Sequence, residues 1–180
     1  MQLDGVVVVS GLPGSGKSTL AHQIYLPLRA ALICKDAIKE ILWEELGVDV
    51  VDESRKIGQA AVRLMYEMAA HAPSAVLESF FWPGISERDL VALDRPMVQI
   101  YCECPVEVAA RRYRERALDP QSGRHPRHVP WGDVEAKISR WRSLGGVVLD
   151  LGVPLLRVDT TKPVDIDEVV EFVESHLPGR

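Results

Sequence analysis

The chain predicts an α/β fold, a parallel β-sheet covered by helices. Three observations point there. The chain opens on an uninterrupted β-branched run. Short β-rich segments then alternate with helical ones. A glycine-rich turn joins the first strand directly to the first helix.

Each element has its own signature. Gly5-Val-Val-Val-Val-Ser10 reads as a strand buried on both faces, because such strands lack the apolar/polar alternation of a half-exposed sheet. A helix is expected from about Gly16 to Arg29, then a second strand at Ala31-Leu-Ile-Cys34. Asp36 to Leu46 reads as a helix, with Ile38, Ile41, Leu42 and Glu45 spaced for one apolar and one polar face. Ser54 to His71 reads as a longer helix that buries Ile57, Ala61, Leu64, Met65 and Met68. Ser74 to Glu78 is the third strand and Met97 to Cys102 the fourth, followed by a helix from about Pro105 to Ala117. Leu155 to Val158 is the fifth strand, and Ile166 to Leu177 closes the chain as a helix. Every connection is a crossover, which favours a right-handed wound sheet. Asp119 to Gly132 breaks this rhythm. Its Pro120, Gly123, Pro126, Pro130 and Gly132, interleaved with Arg and His, are expected to form part of a mobile lid.

Composition limits the functional classes. The chain has 180 residues, enough for one domain with a sizeable core; 47% are hydrophobic and 26% charged. A net charge of −5 argues against coating long nucleic acid. Met1-Gln2-Leu3-Asp4 lacks the basic flank of a signal peptide, and no apolar run approaches the roughly 20 residues of a membrane helix. Cys34, Cys102 and Cys104 are odd in number and form no zinc-type pairs, so a reduced, cytoplasmic chain is expected.

The chemistry is announced by the glycine turn. Gly11-Leu12-Pro13-Gly14-Ser15-Gly16-Lys17-Ser18-Thr19 satisfies GxxxxGK[ST] in its required context of strand before and helix after. Glycines let successive N–H groups turn inward around an anion, and the helix points its positive end at the same place. Lys17 supplies a charge for the β- and γ-phosphates, and the Ser18 hydroxyl is a hard ligand for Mg²⁺. Glu78 ends the third strand, where an acidic side chain holds Mg²⁺ through water or binds the acceptor. Val147-Val-Leu-Asp150 has a similar pattern, but the flanking Gly145, Gly146 and Gly152 mark it as structural. Phe80, Phe81 and Trp82 follow Glu78 directly and read equally well as an acceptor wall or as core. Arg111, Arg112, Arg114 and Arg116 crowd one helix. Arg112 and Arg116 share a face, and such clustering calls for an anion.

The phosphate loop, Cys34-Lys35-Asp36-Ala37-Ile38-Lys39, the acidic end of the third strand, the Arg-rich helix and Asp159-Thr160-Thr161 occur in that order. Together they resemble the small P-loop kinases of the AAA_33 type, over nearly the whole chain. That group is similar to the kinase domains of polynucleotide kinases and, more distantly, to antibiotic phosphotransferases and gluconate kinases. The resemblance implies a P-loop NTPase three-layer sandwich with a five-stranded parallel sheet in the order 2-3-1-4-5. It implies one kinase domain over 1–180 with an Arg-rich lid at about 105–132. It also implies ATP and Mg²⁺ as reactants, with transfer of the γ-phosphoryl group to a hydroxyl of a small-molecule or nucleoside/nucleotide acceptor.

The residue roles follow from the same resemblance. Asp36 would approach the acceptor hydroxyl as base or orienter; an N-cap role is the structural alternative. Lys39 stands where polynucleotide kinases carry an Arg that grips the acceptor's phosphate, and the change loses the bidentate fork. Arg112 and Arg116 would neutralise the transferring group, and Arg111 would pack near the adenine. Asp159 and Thr160 would form the adenine loop. Arg124, His125 and His128 would contribute to acceptor recognition. A polynucleotide 5′-hydroxyl kinase and an acceptor-free nucleotide switch are the competing readings. A GTPase would carry NKxD, and the chain has none.

Overall fold

The computed structural model describes residues 3–47, 51–119, 134–144 and 148–179. Five strands form one parallel sheet: β1 (Gly5–Ser10), β2 (Ala31–Cys34), β3 (Ser74–Glu78), β4 (Met97–Glu103) and β5 (Leu155–Asp159). Their order is β2-β3-β1-β4-β5, as the sequence predicts. β1 is central, with Val7 in register with Val76 of β3 and Val9 with Ile100 of β4. All six of its residues are buried, which accounts for the continuous apolar run.

The sheet separates two cores. On one face Val7, Val9, Val76, Val98 and Ile100 meet α1 (Lys17–Ile24) and α7 (Ile166–His176) through Leu20, Ile24, Val169 and Val173. On the other, Val6, Val8, Ile33 and Leu77 meet Met65 and Ala69 of α3 (Val51–His71) and Leu90 of α4 (Ser86–Val91). Leu149 and Leu151 join this second core. Residues 148–150 form no strand, and Asp150 is exposed, consistent with a structural role for that segment. α2 (Lys35–Leu46) packs beside α3. A third core belongs to α5 (Val106–Leu118) and α6 (Val134–Leu144). There Ala109, Ala110, Tyr113, Ile138 and Trp141 close around Leu12 of the phosphate loop.

Four local features depart from the periodic reading. α1 ends at Ile24 rather than Arg29. Pro27 has no N–H to continue the ladder, and Arg29 turns left-handed at φ 52° while the Ala30 N–H reaches the Tyr25 carbonyl to close the end. α2 buries Trp43, its largest side chain, and leaves Ile41 exposed. α3 buries Ile57, Ala61, Met65 and Ala69 and leaves Leu64 and Met68 outside. The small alanines let this helix lie close to the sheet, so its buried stripe is narrower than the apolar spacing suggests. α4 is a six-residue helix, too short to show a period in the sequence.

Candidate active site

The site is built at the C-terminal edge of the sheet, where β1 delivers the glycine loop to the start of α1. Gly14 has φ 88°, and a Cβ placed there would stand 2.2 Å from the Ala109 carbonyl oxygen of α5. Only glycine allows the loop to lie against that helix. A Cβ at Gly11 would meet the Ser15 hydroxyl at 2.6 Å. The loop closes on itself through the Ser15 N–H, which donates to the Leu12 carbonyl at 3.0 Å.

Two side chains leave this loop and converge on a third. The Lys17 ammonium lies 3.5 Å from Glu78 Oε1, and the Ser18 hydroxyl donates to the same oxygen at 3.2 Å. Glu78 is 4% exposed and Lys17 9%, so each charge is buried with its counter-charge. Cys34 faces Glu78 across the β2–β3 register and hydrogen-bonds to its carboxylate. Burial, with the Glu78 charge beside it, pushes this thiol up to about 12, so it stays a neutral donor. A hydroxyl and a carboxylate meeting beside an ammonium form a hard-oxygen donor set, which suits Mg²⁺.

Asp36 is not the N-cap of α2. Cys34 occupies that position, and Asp36 sits in the helix's first turn, where Lys35 forms an ion pair with its carboxylate. Lys39 lies 4.2 Å above the Trp43 ring, with its Nζ 3.8 Å from where a Cβ of Gly58 would stand. That position is the seam between α2 and α3.

The four arginines of α5 part company. Arg111 is exposed and pairs with Glu115 at 3.8 Å. Arg114 is tied to Glu135 of α6 at 2.6 Å, and Arg142 of α6 returns the tie to Glu107 at 2.8 Å. Arg112 donates to the Thr160 carbonyl at 3.1 Å and touches the Cys104 sulfur. Arg112 and Arg116 both line a cavity of about 450 Å³ with Gly14, Gly16, Thr19 and Gln23 on one side and Thr160, Lys162 and Pro163 on another. Arg111 is not among the residues lining it.

Thr160 donates its hydroxyl to the Glu103 carbonyl at 3.0 Å, which fastens the loop to β4. Asp159 faces its own loop, accepting from the Thr161 hydroxyl at 2.6 Å and its N–H at 2.9 Å. Those bonds, with Lys162 nearby, hold its carboxyl below the usual range. Asp159 therefore shapes the cavity loop, while Thr160 lines the cavity. Phe81 is core, whereas Phe80 and Trp82 are half-buried. Arg124, His125 and His128 lie outside the described residues.

The sequence reading missed Lys35, Cys34, Gln23 and Lys162. Lys35 had a signal, being a cation beside the proposed base. Gln23 and Lys162 belong to a wall that forms only when distant segments meet, and Cys34 becomes a partner of Glu78 only once β2 and β3 pair.

Comparisons with known proteins bear on the family and the fold. The AAA_33 family model, described as an AAA domain, matches residues 6–140. An adenylyl-sulfate kinase of Acaryochloris marina is 33% identical over 121 residues, covering 61% of this chain and 57% of its own length. This chain thus spans little more than half the length of the curated relatives it matches first. A cytidylate kinase of Methanocaldococcus jannaschii is 24% identical, with 96% of this chain and 97% of its own length covered. A crystal structure from Chloroflexus aurantiacus, described as a candidate kinase, superposes with a TM-score of 0.85 at 30% identity, covering 98% of this chain and 100% of its own.

Proposed function

The chain belongs to the AAA_33 family of small P-loop kinases, and on that premise we propose that it transfers the γ-phosphoryl group of ATP to a hydroxyl of a small acceptor. The observation that carries this is the meeting of Lys17 and Ser18, at the end of the glycine loop, on Glu78 of β3, at 3.5 and 3.2 Å. A loop with a purely structural task has no use for a buried ammonium aimed at a hard-oxygen pair.

The roles follow from position. The backbone N–H groups at the start of α1, with Lys17, take the β- and γ-phosphates in place of the Glu78 carboxylate. Arg116 and Arg112 line the cavity that continues from the loop, so the ribose and base extend toward Thr160 and Pro163. Ser18, with Glu78 behind it, is the pair to hold Mg²⁺, which would neutralise charge on the phosphate oxygens. Asp36 faces the acceptor. As the acceptor oxygen bonds to the γ-phosphorus, the bond to the β-phosphate oxygen breaks. The hydroxyl proton passes to the Asp36 carboxylate, and ADP leaves. Lys35, paired with Asp36, holds that carboxylate in place until the acceptor arrives.

A nucleic-acid acceptor is disfavoured by the engagement of Lys39 with Trp43. The test is ADP release across a panel of hydroxyl compounds with ATP and Mg²⁺. Turnover should rise at least tenfold with a true acceptor and vanish in Lys17→Ala. In Asp36→Asn, transfer should fall by about 10²–10⁴-fold while ATP affinity stays within a few-fold. ADP release indifferent to every acceptor would instead assign an ATPase or switch.

A further inference from the structure

We propose that the acceptor carries a flat heteroaromatic ring, as a nucleoside does, and that this ring stacks on Trp82. The inference rests on the kinase reading above and names the substrate class of that site.

Trp82 lies four residues beyond Glu78, at the lip between the sheet and the α5–α6 pair. Its backbone is locked. The Trp82 N–H donates to the Ser86 hydroxyl at 2.9 Å, and the N–H groups of Ile85 and Ser86 return to the Trp82 carbonyl at 3.1 and 2.9 Å. Gly84 takes the left-handed conformation that this tight turn demands, with φ 79°. The indole is therefore presented on a rigid support while its ring remains half exposed. Nothing in the packing of the sheet requires this, because Phe81 already fills the core position beside it.

The surroundings of the ring are those of a stacking site. Phe80 meets it edge to face, with centroids 4.7 Å apart, and Phe80 in turn packs on the third core beside Leu12 of the phosphate loop. The Arg140 guanidinium, from α6, lies 4.4 Å above the ring centre. A planar cation thus already covers the face that a planar ligand would take. Arg140 is exposed on a long stem, and it needs to withdraw by only the thickness of one ring to admit a base between guanidinium and indole. A ring held there stacks on both sides at low ordering cost, since the shelf is preformed. Ringless sugars and polyols gain nothing from such a shelf.

The experiment uses the full chain saturated with ADP and Mg²⁺, so that the nucleotide cavity is filled before the acceptor is added. Adenosine and cytidine are the ring-bearing probes and sorbitol is the ringless one. Binding is followed by calorimetry in the wild type, Trp82→Ala, Trp82→Phe and Arg140→Ala, with circular dichroism to check folding. A nucleoside should bind the wild type, weaken about tenfold or more in Trp82→Ala, and recover to within about threefold in Trp82→Phe. Arg140→Ala should fall between these. The inference is overturned if neither nucleoside binds the ADP complex, if Trp82→Ala binds them as the wild type does, or if sorbitol binds as tightly as the nucleosides. Failure of ADP itself to bind would overturn the kinase reading as well, so the two failures are distinguishable. Trp82→Phe keeps the question open to refutation even if the alanine variant does not fold.

Discussion

Glu78 is a charged residue on a strand whose five positions are all buried, and it survives there because its partners converge on it. Lys17 neutralises it, and Ser18 and Cys34 donate to it. The same convergence makes it the residue most sensitive to loss of charge. Glu78→Gln keeps the shape and removes the charge. The Mg²⁺ concentration for half-maximal turnover should rise about 10–100-fold, as measured by Mg²⁺ titration of ADP release. Cys102, further along the sheet edge, gives a pH prediction. Burial raises its thiol from 9.0 to about 12. Below pH 9 both folded and unfolded chains keep the proton, so this group does not alter stability. Above it the unfolded thiol ionises and the folded one does not, so stability falls as pH rises from about 9 toward 12. Urea midpoints at pH 8 and 10 should show the loss, and Cys102→Ala should show less of it.

Among the elements, the junction of α5 with the phosphate loop matters most. Gly14 touches the Ala109 backbone and Leu12 sits in the α5–α6 core, so the arginines of α5 move only with the loop they serve. Gly14→Ala forces a Cβ into a backbone oxygen at a positive φ. It should cost about 1–3 kcal/mol, lower Tm by about 2–4 °C for each kcal/mol, and depress turnover more than ATP affinity. A second junction is purely structural. Arg95 donates to the carbonyls of Ala69 at 2.8 Å and Pro73 at 2.6 Å and to Ala72, and pairs with Asp4 at 2.7 Å, fastening the end of α3 to the start of β1. Arg95→Ala should lose about 2–3 kcal/mol in a denaturant melt and leave kcat unchanged. These junctions show where the sequence ceases to be legible. Strand limits could be read to within one residue: Ser74–Glu78 emerges unchanged, while β4 and β5 each run one residue further, to Glu103 and Asp159. The buried stripe of α3 could not, because Leu64 and Met68 have the right period and yet face outward. Which side of a helix is covered depends on neighbours that periodicity does not name.

For the whole molecule, strand order was legible because several motifs in order resemble one family, and the sheet has the order 2-3-1-4-5 that the resemblance implies. The glycine loop and the end of the third strand could be placed from the sequence, and Lys17, Ser18 and Glu78 stand together in the fold. The cavity beside the loop was only half legible. Arg112 and Arg116 line it and Arg111 does not, and Gln23 and Lys162 carry no signature. The surroundings of Trp82 were least legible, because Arg140 of α6 reaches its ring only in the fold. What unites these scales is the claim that the glycine loop is a receptor for a triphosphate. Isothermal titration of ATP with Mg²⁺ into the folded wild type, beside Lys17→Ala, tests it most directly. One site per chain is predicted, weakened at least tenfold by the substitution. A well-folded wild type that gives no heat of binding, or a Lys17→Ala variant that binds as tightly, would contradict it.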